Sequence, residues 1–159
     1  MRPSHPPLSN TGRLLVEDHQ RIDGLIEQLR HEIHGGDWRV CQATWSLFER
    51  QLRDHIDAEE RFLLPLFERD HPNEAAALHE EHLNIRRLVS DVGMRLELHT
   101  LREQHAQLFL DMLQSHAMRE EVLFYRCAKD LPPDVANALA RRNRREPAGK
   151  SPSGAAGDG

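Results

Sequence analysis

Hydrophobic residues recur at steps of three and four along most of this chain, which is the spacing of one face of an α-helix. Turn-forming residues interrupt the pattern at only a few places, so the pieces between them are long. Four long helices joined by short turns predict an all-α, up-down four-helix bundle. The helices are predicted from about Ser9–Thr11 to Ile33, from Asp37 to Arg69, from Asn73 to His99 and from Thr100 to just before Pro132.

Cap residues mark the start of three of these helices. The polar run at residues 9–11 is typical of the start of the first helix, and Asp37 of the second. Thr100 and Glu103 have the spacing of a capping box and predict the start of the fourth. In the second helix Pro65 predicts a kink, because proline removes a backbone donor and its ring clashes with the preceding turn.

Length and composition predict one domain with a single core, flanked by shorter segments. A length of 159 residues with 38% hydrophobic content is enough for a single domain. We predict an N-terminal arm over residues 1–11, a bundle domain over 12–131, a short helix over 132–145 and a disordered tail over 146–159. The tail is rich in Gly, Pro, Ser and Ala, a composition typical of disorder.

Six polar residues interrupt the apolar faces of the predicted helices, and all six are histidine or glutamate. The first and third helices each carry one histidine. The second and fourth each carry a His-x-x-x-Glu pair, whose spacing puts both side chains on one helix face. The two halves repeat at offsets of 63 and 61 residues, which predicts an approximate two-fold axis and two equivalent metal positions. The six residues are His19, His55, Glu59, His82, His116 and Glu120.

Beyond the two glutamates, the same spacing continues each apolar seam. In the second helix it predicts Phe62 and Leu66 as core residues, and in the fourth Leu123 and Cys127. Tyr125, the only tyrosine, falls off this seam. We interpret it as a packed aromatic, with a redox role or a role beside the metal ligands as the alternatives.

Six buried polar side chains at one level require partners, because each unsatisfied group would cost about 1–3 kcal/mol. Pairing with one another or with water is one possibility, and bound metal is the one we favour. Imidazole and carboxylate donors without thiolate argue against an iron–sulfur cluster or a structural zinc site. The nitrogen donors also argue against calcium or magnesium. We predict iron, with manganese or zinc as alternatives.

The net charge of -5 and the pI near 6.1 do not favour binding to nucleic acid or to an anionic membrane surface. No stretch approaches the roughly 20 apolar residues that span a bilayer, and the N-terminus has no apolar signal region. Two cysteines are too few for a disulfide framework. We therefore expect a soluble, cytoplasmic protein without a nucleic-acid or membrane partner.

Three motifs carry a resemblance to a known family. They are H-x-x-x-E-E at residues 55–60 with Pro65 downstream, E-E-H-x-x-I-R at residues 80–86, and a second H-x-x-x-E-E at residues 116–121. From Leu14 to about Cys127 the chain resembles the hemerythrin-like family, also called the HHE cation-binding family. The best match is its four-histidine, two-glutamate subgroup, which includes bacterial iron–sulfur repair proteins.

This resemblance implies two iron ions joined by a bridging oxo or hydroxo group. It assigns each of the six seam residues a role in holding them. His19 and His82 would be the lone ligands, His55 and His116 the paired ligands, and Glu59 and Glu120 the carboxylates that bridge the irons.

Three further residues near the six need separate interpretation. Hemerythrin itself has a fifth histidine where this chain has Leu78, but His79 lies three residues before His82 and could still reach the same iron. We favour a position at the rim of the site, with an extra ligand as the alternative. Glu60 and Glu121 follow the two glutamates and either orient histidine N–H groups or are solvated.

The number of ligands per iron decides between the possible functions. Two histidines, two bridging carboxylates and an oxygen bridge give each iron about five ligands, so both keep an open position. That favours reaction with a small oxidant, namely decomposition of peroxide or reduction of nitric oxide. If His79 fills the open position of one iron, reversible oxygen binding or sensing is favoured instead. Iron storage or donation is a further alternative. The sequence identifies neither the electron donor nor the oligomeric state.

Overall fold

The computed structural model describes residues 9–125 and 133–144. Within these residues every element is helical and none is a strand, so the predicted all-α bundle is confirmed. A π-helical turn, in which hydrogen bonds span five residues instead of four, extends two of the helices. The helices are α1 (Asn10–Gly35), α2 (Trp38–Ala58), α3 (Leu64–Glu68), α4 (Pro72–Glu97), α5 (Glu103–Glu120) and α6 (Pro133–Arg144); the first π turn is Glu59–Leu63 and the second is Glu121–Tyr125.

The first two helices begin at their predicted caps. The Ser9 hydroxyl accepts a hydrogen bond from the Gly12 N–H at 3.1 Å and starts α1. At the other end of α1 Gly36 has a left-handed backbone with a φ of 75°, which glycine adopts without strain. Asp37 Oδ1 accepts from the Val40 N–H at 3.3 Å and starts α2.

The capping box predicted for the last long helix is wrong. Helix α5 begins at Glu103, and Arg102, in the cap position, makes no side-chain cap hydrogen bond. The Thr100 N–H and hydroxyl both donate to the Arg95 carbonyl, at 2.8 and 3.4 Å. Thr100 therefore belongs to the end of α4 rather than to the start of α5. The last carbonyls of a helix have no partner within it, and one of them accepts hydrogen bonds from Thr100.

Four long helical segments pack side by side around the core. Helices α1 and α4 each pack against both α2 and α5, as expected for an up-down bundle. Two buried apolar clusters fill the core, one including Ile26, Phe48 and Phe109, the other including Leu15 and Phe124. On each of the four segments one predicted histidine lies between the two clusters, so the core contains a polar layer. Helix α6 packs against α1.

The two π turns shift the apolar seams beyond the glutamates by one residue. After Glu59 the buried residues are Leu63, Leu64 and Phe67, while Phe62 and Leu66, predicted as core, are only partly buried. After Glu120 they are Phe124 and Tyr125, and the predicted Leu123 is 47% exposed. The seam prediction is therefore wrong at these positions, because it assumed α-helical spacing throughout. The first π turn lies just before Pro65, whose missing N–H makes a regular turn unfavourable.

Some sequence predictions lie outside the described residues. They are the arm before residue 9, Cys127 and the tail over 146–159. Cys41 is buried, and burial raises the pKa of its thiol to about 11. In the described ranges, no helix combines the length and the apolar character needed to cross a membrane.

Candidate metal centre

The six histidines and glutamates predicted as ligands meet in one buried layer. Each is at most 8% exposed. Their nitrogen and oxygen atoms form two groups in which all the potential ligand atoms lie within 4.8 Å of one another. We call the first group, His19, His55, Glu59 and Glu120, the His19–His55 position, and the second, His82, His116 and Glu120, the His82–His116 position.

Each glutamate extends one carboxylate oxygen toward each position. Glu59 Oε1 lies 3.0 Å from His55 Nε2, and its Oε2 lies 3.4 Å from His82 Nε2. Glu120 is arranged in the same way. Its Oε2 lies 3.3 Å from His19 Nε2, and its Oε1 lies 2.9 Å from the Nε2 atoms of both His82 and His116. This is the geometry of two carboxylates that can bridge two ions.

Two carboxylate oxygens in this layer have no hydrogen-bond partner among the residues that the structure describes. They are Oε2 of Glu59 and Oε2 of Glu120, and both glutamates are at most 1% exposed. A buried carboxylate oxygen without a partner costs more than the 1–3 kcal/mol typical of neutral polar groups, since the carboxylate carries a charge. Bound cations would supply the missing partners, so the donor set fits a two-metal centre.

Outside the layer, each histidine Nδ1 contacts a further carboxylate, which turns Nε2 toward the core. The pattern follows the sequence repeat. In each half of the repeat, the acidic residue that precedes the lone histidine contacts the paired histidine of the same half. The glutamate that follows Glu59 or Glu120 contacts the lone histidine of the other half. The contacts are His19–Glu121, His55–Asp18 and His82–Glu60, each 3.2 Å, and His116–Glu81, 2.8 Å.

Glu60 and Glu121 were predicted from the sequence as possible partners of histidine, whereas Asp18 and Glu81 were missed. A signal for the missed pair exists, because both acids directly precede a lone histidine and occupy the same place in the repeat. Three of the four outer carboxylates also contact an arginine: Asp18 contacts Arg21, Glu81 contacts Arg119, and Glu60 lies 3.1 Å from Arg86.

Tyr125 lies within the His19–His55 position, although the sequence placed it off the seam. It is fully buried, and its hydroxyl lies 2.8 Å from His19 Nε2 and 3.2 Å from His55 Nε2. The same hydroxyl donates a hydrogen bond to Glu59 Oε1. The second π turn explains the difference, because it brings the fourth and fifth residues after Glu120, rather than the third, to the core face.

His79 lies outside both groups. Its side chain is about half exposed, and its Nδ1 is 3.6 Å from Glu60 Oε1. Glu60 in turn contacts the Nδ1 of His82, so His79 lies behind an outer carboxylate and not in the layer itself. The structure thus brings the six predicted ligands together without His79.

The carboxylates dominate the electrostatics of the layer. Burial opposes protonation of His55, but Glu59 and Asp18 outweigh it and raise its pKa to about 10. Burial likewise opposes protonation of His82, whose pKa is raised to about 10 by Glu120 and Glu59. Burial also disfavours ionisation of Glu120, yet the histidines hold its pKa well below the ordinary value. The layer therefore attracts positive charge, whether protons or metal ions.

A small cavity adjoins the layer between α1, α2 and α5. Its volume is about 20 Å³, and a cavity of roughly 10–15 Å³ already holds one water. It therefore accommodates a molecule of only a few atoms. Its walls are mainly apolar and are formed by Ile22, Ile26, Leu52, Ile56, Leu113 and Ala117, with His19, His55, His116 and Glu120 at the layer and Asp23 at the edge.

An all-α bundle with two His/Glu groups in its core defines the class of protein as a helical metal-binding domain. The family model described as the hemerythrin HHE cation binding domain matches residues 11–128, which is most of the chain. The chain therefore belongs to the hemerythrin HHE cation-binding family. No curated protein and no solved structure gives a match to it.

Proposed function

We propose that this protein holds two iron ions and that the pair binds and reacts with a small oxidant, namely peroxide, oxygen or nitric oxide. The observation that carries the proposal is the pair of buried glutamates. Each directs one oxygen toward each histidine pair, and each has one oxygen without a hydrogen-bond partner. Two cations, joined by an oxo or hydroxo bridge, would neutralise both carboxylates at once.

Iron is favoured because the centre combines four imidazoles with two carboxylates and, among the described residues, contains no thiolate. This donor set suits redox-active divalent and trivalent ions. Manganese and zinc are the alternatives, and zinc would exclude redox chemistry because it has a single stable oxidation state. When bound, iron would supply the electron transfer that turnover of an oxidant requires.

The chain's own residues would position and protect this centre. The four outer carboxylates fix each imidazole so that Nε2 faces the core. The apolar walls of the cavity limit access to molecules of a few atoms. Asp23 is half-buried at the cavity edge, and burial raises the pKa of its carboxyl, so it is placed to hold a proton near the reacting molecule.

The test begins with metal content. Anaerobic reconstitution with ferrous iron should saturate at two ions per chain, and Glu59→Ala and Glu120→Ala should each bind fewer. Glu97 is an exposed glutamate outside the layer, so Glu97→Ala is the matched control and should bind two ions per chain. Saturation at one ion in the native protein, or full loading of both glutamate variants, contradicts the proposal.

The second part of the test concerns the small molecule. Leu113→Phe should partly fill the cavity and slow the reaction with peroxide, oxygen and nitric oxide while leaving two irons bound. Leu113→Met, which nearly conserves volume, should react at close to the native rate. Equal rates in both variants would show that the small molecule does not approach through this cavity.

Reversible oxygen binding or sensing is the second candidate function. The observation that favours it is the Tyr125 hydroxyl, which lies among the donor atoms of only one position and could leave a single open metal. Optical spectra separate the two candidates. A carrier returns to its starting spectrum when oxygen is removed, whereas an enzyme consumes the oxidant.

A further inference from the structure

The hydroxyl of Tyr125 lies where a metal ligand would be expected. It is 2.8 Å from His19 Nε2 and 3.2 Å from His55 Nε2, and it also contacts Glu59 Oε1. Donor atoms on adjacent vertices of an octahedral ion lie about 3 Å apart when the bonds to the metal are about 2.1 Å long. One oxygen at such distances from two candidate ligand atoms, and in contact with a third, fits a fourth vertex around the same ion.

The Tyr125 hydroxyl is shielded from solvent. Tyr125 is fully buried, and the hydrogen-bond contacts of its hydroxyl are with side chains of the layer. A phenolate is also a hard, anionic oxygen donor, which matches a trivalent iron, and tyrosine is an established ligand of haem iron.

The backbone provides an independent reason for this placement. One π turn begins at Glu59 and the other directly follows Glu120, and the fifth residue after each of these glutamates is buried. In the first half of the repeat this residue is Leu64, which has no donor atom, and in the second half it is Tyr125. The two residues occupy the same place in the repeat, and only Tyr125 can bind a metal.

We propose that Tyr125 is a seventh protein ligand and binds the metal of the His19–His55 position through its phenolic oxygen. The inference rests on the proposed function, since it requires that this position hold an ion, and the single open metal that it leaves favours the second candidate, reversible oxygen binding or sensing. On binding, the O–H bond breaks, the proton leaves to solvent, and the oxygen forms a bond to iron with no change in oxidation state.

This ligand makes the two positions unequal. The His19–His55 metal receives donors from two histidines, two glutamates and one tyrosine, and the His82–His116 metal only from histidines and glutamates. With a shared oxygen bridge the first metal is filled and the second keeps an open position. A small molecule would therefore bind at the His82–His116 metal, which the cavity reaches at His116, beside His19 and His55 of the filled position.

The test is spectroscopic, and the composition of the chain makes it specific. Protein reconstituted with iron and oxidised with ferricyanide should show a visible tyrosinate-to-iron charge-transfer band with tyrosinate modes in its resonance Raman spectrum. Because Tyr125 is the only tyrosine, any such signal reports this residue. Tyr125→Phe removes only the hydroxyl and should abolish the signal, while Phe124→Leu, on the same π turn, should retain it.

A second measurement covers the case in which Tyr125→Phe does not fold. Native protein grown with ring-deuterated tyrosine should show the same Raman modes shifted by the isotope, without any substitution. Two bound irons with no tyrosinate modes would overturn the inference and leave the proposed function intact. A native protein that does not bind iron at this layer would overturn the proposed function and this inference with it.

Discussion

The two metal positions are built from equivalent parts of the repeat, and they differ in what lies next to them. Both have two histidines, and both glutamates extend an oxygen toward each. Beside the His19–His55 position the repeat supplies Tyr125, and at the corresponding place in the other half it supplies Leu64. One residue of different chemistry, in an otherwise symmetric scaffold, is enough to make the positions unequal.

The outer carboxylates differ as well. At the His82–His116 position both of them, Glu60 and Glu81, contact an arginine. At the other position Glu121 is 41% exposed, and the described residues place no arginine against it. An arginine contact holds a carboxylate in place and offsets its charge. The His82–His116 position is therefore the more firmly supported, and the His19–His55 position has the additional donor.

The largest expected effect separates the positions directly. His55→Ala and His116→Ala should each lower iron content from two to about one per chain, because each removes one of the two histidines of one position. The remaining iron should lie in a different place in each variant. His116→Ala should retain the tyrosinate signal and His55→Ala should lose it; identical spectra would mean that the positions are not distinct.

Removal of the metal should make the stability of the protein depend strongly on pH. The pKa values of His55 and His82 are raised from 6.5 to about 10. Their stabilising contribution is complete below pH 6.5 and is lost as the pH rises through about 10. Urea unfolding of chelator-treated protein should show this decline. Iron-loaded protein should lose little stability over the same pH range, because the same histidine nitrogens bind metal. An equal loss of stability in the iron-loaded protein would mean that these histidines do not bind the metal.

The outer carboxylates provide a finer comparison. Glu81→Gln keeps the shape of the side chain but removes the charge next to His116, and metal affinity should fall roughly 10- to 100-fold. Glu121→Gln, next to His19, should have a smaller effect because the native carboxylate is partly solvated. Competition with a coloured chelator measures both affinities. A larger loss of metal affinity in Glu121→Gln than in Glu81→Gln would contradict the conclusion that the His82–His116 position is the more firmly supported.

The smallest effect is expected for His79→Ala. The side chain is half exposed and lies outside both groups, so iron content, the optical spectrum and any peroxide turnover should stay nearly unchanged. Stability should change by less than about 0.5 kcal/mol, as is usual for a surface position. Faster reaction with peroxide would instead mean that His79 caps the His82–His116 metal.

Local patterns were sufficient to predict the bundle and the six residues of the layer. Helical spacing puts His55 and Glu59 on one face, and the apolar residues around them require that face to be buried. The repeat then relates them to His116 and Glu120. None of these steps needs a contact between distant residues, which explains why the sequence is informative about them. Asp18 and Glu81 could have been recognised by the same repeat.

The sequence by itself therefore determined the helices, the polar layer and the six side chains that meet there. Only the tertiary structure decided the π turns, because a fifth residue enters the core when packing favours it over regular spacing. The second of those turns exchanged Leu123 for Phe124 and Tyr125 as core residues. The structure also assigned Thr100 to the end of α4, where the Arg95 carbonyl accepts its N–H. In each case local spacing rules allow both arrangements, and only the contacts made in the folded chain distinguish them.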